Sequence, residues 1–150
     1  MSALFAFLHH LAAFALVAAL AAEFLLLRGA LNADTMRRVH WLDRAYGSCA
    51  AVLIVIGVAR VLYFEKGATY YLHSAPFIAK MSLFLVIGLL SIYPTLQFVR
   101  WGRALRHAGA PVCDPQQLQR LRRVLQLELL LIVPLLLCAA LMARGFGQIA

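Results

Sequence analysis

Four apolar blocks separated by short polar links make up this chain: Ala3–Leu27, Trp41–Phe64, Ala75–Val99 and Val124–Met142. Crossing a bilayer takes about 20 mostly apolar residues at a rise of about 1.5 Å each, and every block supplies that length. Lipid offers no water to the backbone, so such segments fold as helices that satisfy their own N–H and C=O groups. A helix of a soluble bundle would carry a polar stripe. "LELLLIVPLLLCAALMA" (Leu127–Ala143) has almost none. The pattern predicts an all-α, integral membrane four-helix bundle, a single domain over residues 1–150. The first block lacks the basic leader of a signal peptide, and its apolar run is longer than such peptides carry. It is therefore expected to be a genuine span.

Helix punctuation fits this layout. "DPQQ" (Asp114–Gln117) offers an N-cap, a proline at the first helical position and a glutamine at the third, so the fourth helix should begin about two turns before its span. Asn32 or Asp34 should start the second helix early, and Ser74, followed by Pro76, the third. Gly47, Ser48, Cys49, Ala50 and Ala51 would let neighbouring backbones approach closely. Pro94 and Pro134 fall inside spans and should kink them.

Composition agrees: 64% of the 150 residues are hydrophobic and 13% charged. The net charge of +8 bears on orientation. The first link holds Arg28, Arg37 and Arg38 against Asp34, with Arg44 just beyond. The third holds Arg100, Arg103, Arg106, Arg120, Arg122 and Arg123 against Asp114. The middle link balances Glu65 with Lys66. The positive-inside rule predicts the two basic links in the cytoplasm and both termini extracytoplasmic. Trp41 and Trp101 should then mark the inner interface, and Tyr63, Tyr70 and Tyr71 the outer one. The arginines are split between links without interleaved aromatics, which argues for anionic membrane lipid as their partner and against nucleic acid. Cys49, Cys113 and Cys138 have no metal-ligand spacing and read as small packing residues.

Ionisable residues inside spans are costly and usually face the bundle. They sort into two levels. His9 and His10 lie about 11 Å inside the outer end of the first helix, with Arg60 and Lys80 at comparable depth on the second and third. His73 could lean in, and Met81 and Met142 lie nearby in depth. Adjacent positions differ by about 100° around a helix, so one of the two histidines should face the axis. The inner level is acidic: Glu23, Asp43 with Arg44, and Glu128, with Tyr46, Tyr93, Thr95 and Gln97 within reach. His9 and Glu23 are fourteen residues apart and share a face. These carboxylates read either as structural ion pairs with Arg28, Arg44 or Arg123, or as a proton path from the cytoplasm to the outer cluster.

Imidazole ligates iron or copper, while Lys and Arg suit carboxylates such as haem propionates. A four-helix bundle commonly holds cofactors between facing helices. Haem b is thus one expectation, with His9 or His10 as axial ligand and Arg60 and Lys80 binding propionates or balancing charge. Copper on His9, His10, Met81 and Met142 is the runner-up.

"LHHLAAFALVAALAAEFLLLRG", "LDRAYGSCAAVLIVIGVAR", "KMSLFLVIGLLSIYPT" and the closing "LELL…LMARG" resemble a bacterial family of four-helix membrane proteins catalogued as domain of unknown function 2214. That resemblance covers nearly the whole chain and implies a multi-pass protein of the bacterial inner membrane. More distantly, the layout is similar to HemJ-type haem b protoporphyrinogen oxidases. There, a histidine in the "KALH" opening of the first helix matches His9 or His10, and a lysine early in the third matches Lys80. The chain departs in having Phe7 and Leu8 where that family has a nearby lysine, so haem binding alone is implied.

Two function classes follow. One is a haem b redox protein acting at the outer leaflet on quinone, porphyrinogen or another small molecule. The other is a cofactor-free, proton- or ion-coupled transport component, or an accessory subunit of an oligomer or larger complex. No nucleophile–base pair, phosphate loop or zinc motif points to a hydrolase or nucleotide-binding protein.

Overall fold

The computed structural model describes residues 2–59, 74–107 and 113–144. They form four helices: α1 Ser2–Arg28, α2 Ala33–Ala59, α3 Ala75–His107 and α4 Pro115–Ala143. All four are long and apolar enough to cross a membrane. Each packs on its neighbours in the order α1–α2–α3–α4 and back to α1, with no diagonal contact among the described residues. The result is an up-and-down bundle, closest along α1–α2 and α3–α4.

The helix starts lie where local chemistry puts them. Asn32 Oδ1 accepts from the Thr35 backbone N–H at 2.8 Å, and Asp114 Oδ1 from the Gln116 N–H at 3.1 Å, with Pro115 in the first turn. Each cap satisfies an otherwise orphaned donor. Ser74 opens α3 through its carbonyl, which accepts from Phe77 and Ile78. Pro94 and Pro134 sit inside unbroken helices, where each removes one i→i−4 hydrogen bond.

The helices run about 40 to 50 Å, well beyond a hydrocarbon core of about 30 Å. The tightest packing lies at the end that carries the two basic links. Leu27, Val39, Phe98 and Leu121 have no exposed surface there, and Met36 and Trp101 are nearly as enclosed. Apolar surface has no reason to leave lipid, but it does leave water, so burial concentrates where the bundle meets solvent. Elsewhere Phe7, Phe14, Val55, Leu85, Val133 and Leu137 face outward, as lipid-facing residues do.

This plug corrects the expectation for Trp101. α3 continues to His107, and the Trp101 indole packs against Phe98 with ring centroids 5.6 Å apart instead of marking an interface. Trp41 is exposed, as an interfacial residue would be. The small-residue patch is met only in part: Cys49 and Ala50 pack against the core, whereas a Cβ at Gly47 would meet nothing within 4 Å. The close approach occurs at Gly102, where a Cβ would stand 3.1 Å from Cδ2 of His40. Arg60, Tyr63, Glu65, Lys66, Tyr70, Tyr71 and His73 lie outside the described residues.

Candidate functional site

A polar layer crosses the interior just inside the apolar plug, built from one or two side chains of every helix. α1 contributes Glu23 (2% exposed), α2 Asp43 (6%) and Tyr46 (7%), and α4 Glu128 (0%). α3 contributes Thr95, whose hydroxyl donates to Asp43 Oδ1 at 2.6 Å, and Ser91, which lies near Tyr46 and whose hydroxyl donates to the Gly88 carbonyl of its own helix at 2.8 Å. The layer forms because each carboxyl lies on the stripe that also carries its helix's core residues. On α4 that stripe is Leu121, Leu125, Glu128 and Ile132, spaced three or four residues apart.

The three carboxyls face one another. Glu23 is within electrostatic reach of both Asp43 and Glu128, and Tyr46 of all three. Among the described residues neither Glu128 oxygen has a hydrogen-bond partner, nor does Glu23 Oε1. The ion pairs expected for these residues are not formed. Arg44 and Arg123 are exposed, Arg28 lies over the Phe24 ring at 5.7 Å, and the described ion pair is Arg38–Asp34 at 2.8 Å on the surface. Arg122 reaches inward to a backbone group instead: its Nε donates to the Leu27 carbonyl at 2.6 Å and so satisfies an acceptor near the end of α1. A guanidinium long enough to reach solvent or a helix end stays there, because moving it beside a buried carboxyl would desolvate both.

Two neighbours of this layer were not singled out by spacing. His40 lies one turn before Asp43, half-buried, with its Nδ1 enclosed and without a partner, and it interacts electrostatically with Asp43. Gln117 stands at the third helical position, where the sequence predicts a capping role. It instead donates through Nε2 to Gln97 Oε1 at 2.7 Å, closing one side of a polar cavity of about 340 Å³ lined by Tyr93, Gln97, Asp114, Gln116, Gln117 and Arg120. Gln117 Oε1 also lies 3.9 Å from the Cys113 thiol, which burial and the Asp114 charge push above the ordinary thiol range. His40 and Gln117 act across helices, and only the tertiary fold reveals such partners.

The outer level is less convergent. The His9 and His10 rings diverge, edge to face, with centroids 6.2 Å apart. His10 is exposed, and its Nδ1 donates to the Ala6 carbonyl at 2.6 Å on its own helix. His9 is half-buried with Nδ1 enclosed, and its Cε1 lies 3.9 Å from where a Cβ on Gly57 of α2 would be. Lys80 and Met142 are half-buried, whereas Met81 is exposed. Among the described residues no three His, Cys, Asp or Glu side chains converge to seat a metal ion.

No curated protein sequence and no solved structure matches the chain. One family model does, over residues 1–147, and the chain therefore belongs to the family DUF2214, described as a predicted membrane protein.

Proposed function

We propose that this protein carries protons through its acidic layer as a proton-coupled component of the bacterial inner membrane, with the basic links in the cytoplasm and both termini outside. The observation that carries this reading is Glu128, fully enclosed with neither oxygen partnered, opposite Glu23 and Asp43 on other helices. A carboxyl group in an apolar interior without a counter-ion is far more costly as an anion than as an acid. A structural role would give it a hydrogen bond or an ion pair; a proton-exchanging role requires it to gain and lose a proton in place. Tyr46, Ser91 and Thr95 add hydroxyls that can accept and donate in turn.

The test is the full chain in liposomes loaded with a pH-sensitive dye, with proton entry driven by a potassium diffusion potential. The wild type should acidify the lumen faster than empty vesicles, and Glu128→Gln should return the rate to that of empty vesicles. A wild-type rate equal to that of empty vesicles rejects the reading.

A second reading, haem b between the outer helix halves, is favoured by one observation: His9 packs inward against α2 at Gly57. At the outer level the described residues supply one inward imidazole and the half-buried Lys80, so His9 and not His10 would be the ligand. An absorption spectrum of protein purified with added haem decides it. A Soret band lost in His9→Ala and kept in His10→Ala supports the reading, and no band rejects it.

A further inference from the structure

The acidic layer is closed off from the basic, water-facing end of the bundle by the apolar plug. Leu27, Met36, Val39, Phe98, Trp101 and Leu121 are each no more than 4% exposed. None of the five aliphatic and phenyl side chains carries a proton-exchanging group, and the Trp101 indole N–H is a donor only. A proton entering from that end needs a way around them.

His40 offers one on the α2 side. It lies on the plug's flank, between α2 and α3, and its ring packs on Gly102, where a Cβ would stand 3.1 Å from it. The side chain is half-buried, so it bridges solvent and interior, and its enclosed Nδ1 has no partner. Asp43 follows three positions later, at a spacing that puts the two side chains on one helix face about 5–6 Å apart at their Cβ atoms. Gly102 brings no charge from α3; on its own helix Asp43 and the exposed Arg37 and Arg44 lie three or four residues away, and Glu23 and Glu128 lie beyond Asp43 on α1 and α4. A histidine kept only for packing would spend its inner nitrogen on a hydrogen bond or be replaced by an apolar ring.

We infer that His40 is the proton-transfer residue that connects the water-facing basic end of the bundle with Asp43, bypassing the apolar plug. This rests on the proton-carrying reading above. In one transfer the imidazolium gives its Nδ1 proton to the Asp43 carboxylate, directly or through one water. The ring is left neutral with its proton on Nε2, and Asp43 becomes the acid. Renewed protonation of Nδ1 from solvent after the ring turns outward resets it. Imidazole suits the step because it can take up a proton on one ring nitrogen while the other keeps its own.

The experiment uses the same liposomes, without an initial pH gradient and with imidazole at equal concentration on both sides where it is added. His40→Phe keeps a ring on Gly102 and should slow potential-driven proton entry at least tenfold. Added imidazole should restore most of the rate, and Glu128→Gln should stay inactive with or without it. His40→Gln, polar but unable to relay, should behave as His40→Phe and guards against a folding defect. Wild-type rates in both His40 variants, with Glu128→Gln inactive, overturn the role of His40 and leave the acidic layer standing. Slow variants that imidazole does not rescue also overturn it, because a packing role predicts that outcome. If Glu128→Gln conducts as the wild type does, the underlying reading fails and this inference fails with it.

Discussion

The Thr95 hydroxyl donates to Asp43 Oδ1 at 2.6 Å, joining α3 to α2 across 52 residues of chain. It ties the acidic layer to α3, and it falls where α2 and α3 share less contact than α1 and α2 do. Such a bond both positions the carboxyl and helps to hold the bundle closed.

Thr95→Val should therefore lower stability by about 1–3 kcal/mol, because the shape is kept while a buried acceptor loses its donor. Thr95→Ser should cost much less. Unfolding midpoints in mixed micelles at increasing denaturing detergent will check this, and equal midpoints for Val and Ser would exclude a stabilising role for the bond.

Glu128 should respond in the opposite way. With no partner to lose, Glu128→Leu is expected to leave stability unchanged or to raise it by about 1–4 kcal/mol, as when a buried ionic group gives way to a packed apolar one. The same variant should conduct no protons. A loss of stability in the same micelle assay would show that the carboxyl has a structural partner.

Glycines separate by environment. Gly47→Ala meets open space and should raise stability by up to about 1 kcal/mol through helix propensity. Gly102→Ala drives a methyl to 3.1 Å from the His40 ring and should lower it by about 1–3 kcal/mol through overpacking. If the two variants melt alike, the His40 ring swings aside at no cost.

The Cys113 thiol should be a slow nucleophile at neutral pH. Burial and the Asp114 charge raise its pKa, so less thiolate is present at a given pH than in an unperturbed cysteine. Its rate with a water-soluble maleimide should rise with pH to a plateau beyond the ordinary thiol range. Asp114→Asn should shift that profile to lower pH, since it removes the like charge. An unshifted profile would leave burial as the whole cause.

The features read correctly in advance were local or periodic ones. Asn32 and Asp114 cap helices because their side chains reach only two or three residues along the chain. Glu23, Asp43 and Glu128 share a depth because apolar runs set where each helix begins, and the rise per residue does the rest. The same reasoning misplaced Trp101, since hydropathy marks where a span ends and not where a helix ends. Of the small-residue cluster Gly47–Ala51, Cys49 and Ala50 pack inward while Gly47 meets open space, because small residues permit contact without supplying the partner.

Hydrophobic patterning alone determined four helices, their order and the layer of carboxyls between them, because the cost of burying backbone and charge in lipid acts on each segment by itself. Which of those carboxyls found a partner was decided only by the assembled bundle. Asp43 met Thr95, Glu128 met no donor, His9 turned to Gly57 and His40 to Gly102. Those pairings depend on the rotation and offset of one helix against another, and in lipid these follow from side-chain shape at the contact and not from the hydrophobicity that a sequence displays.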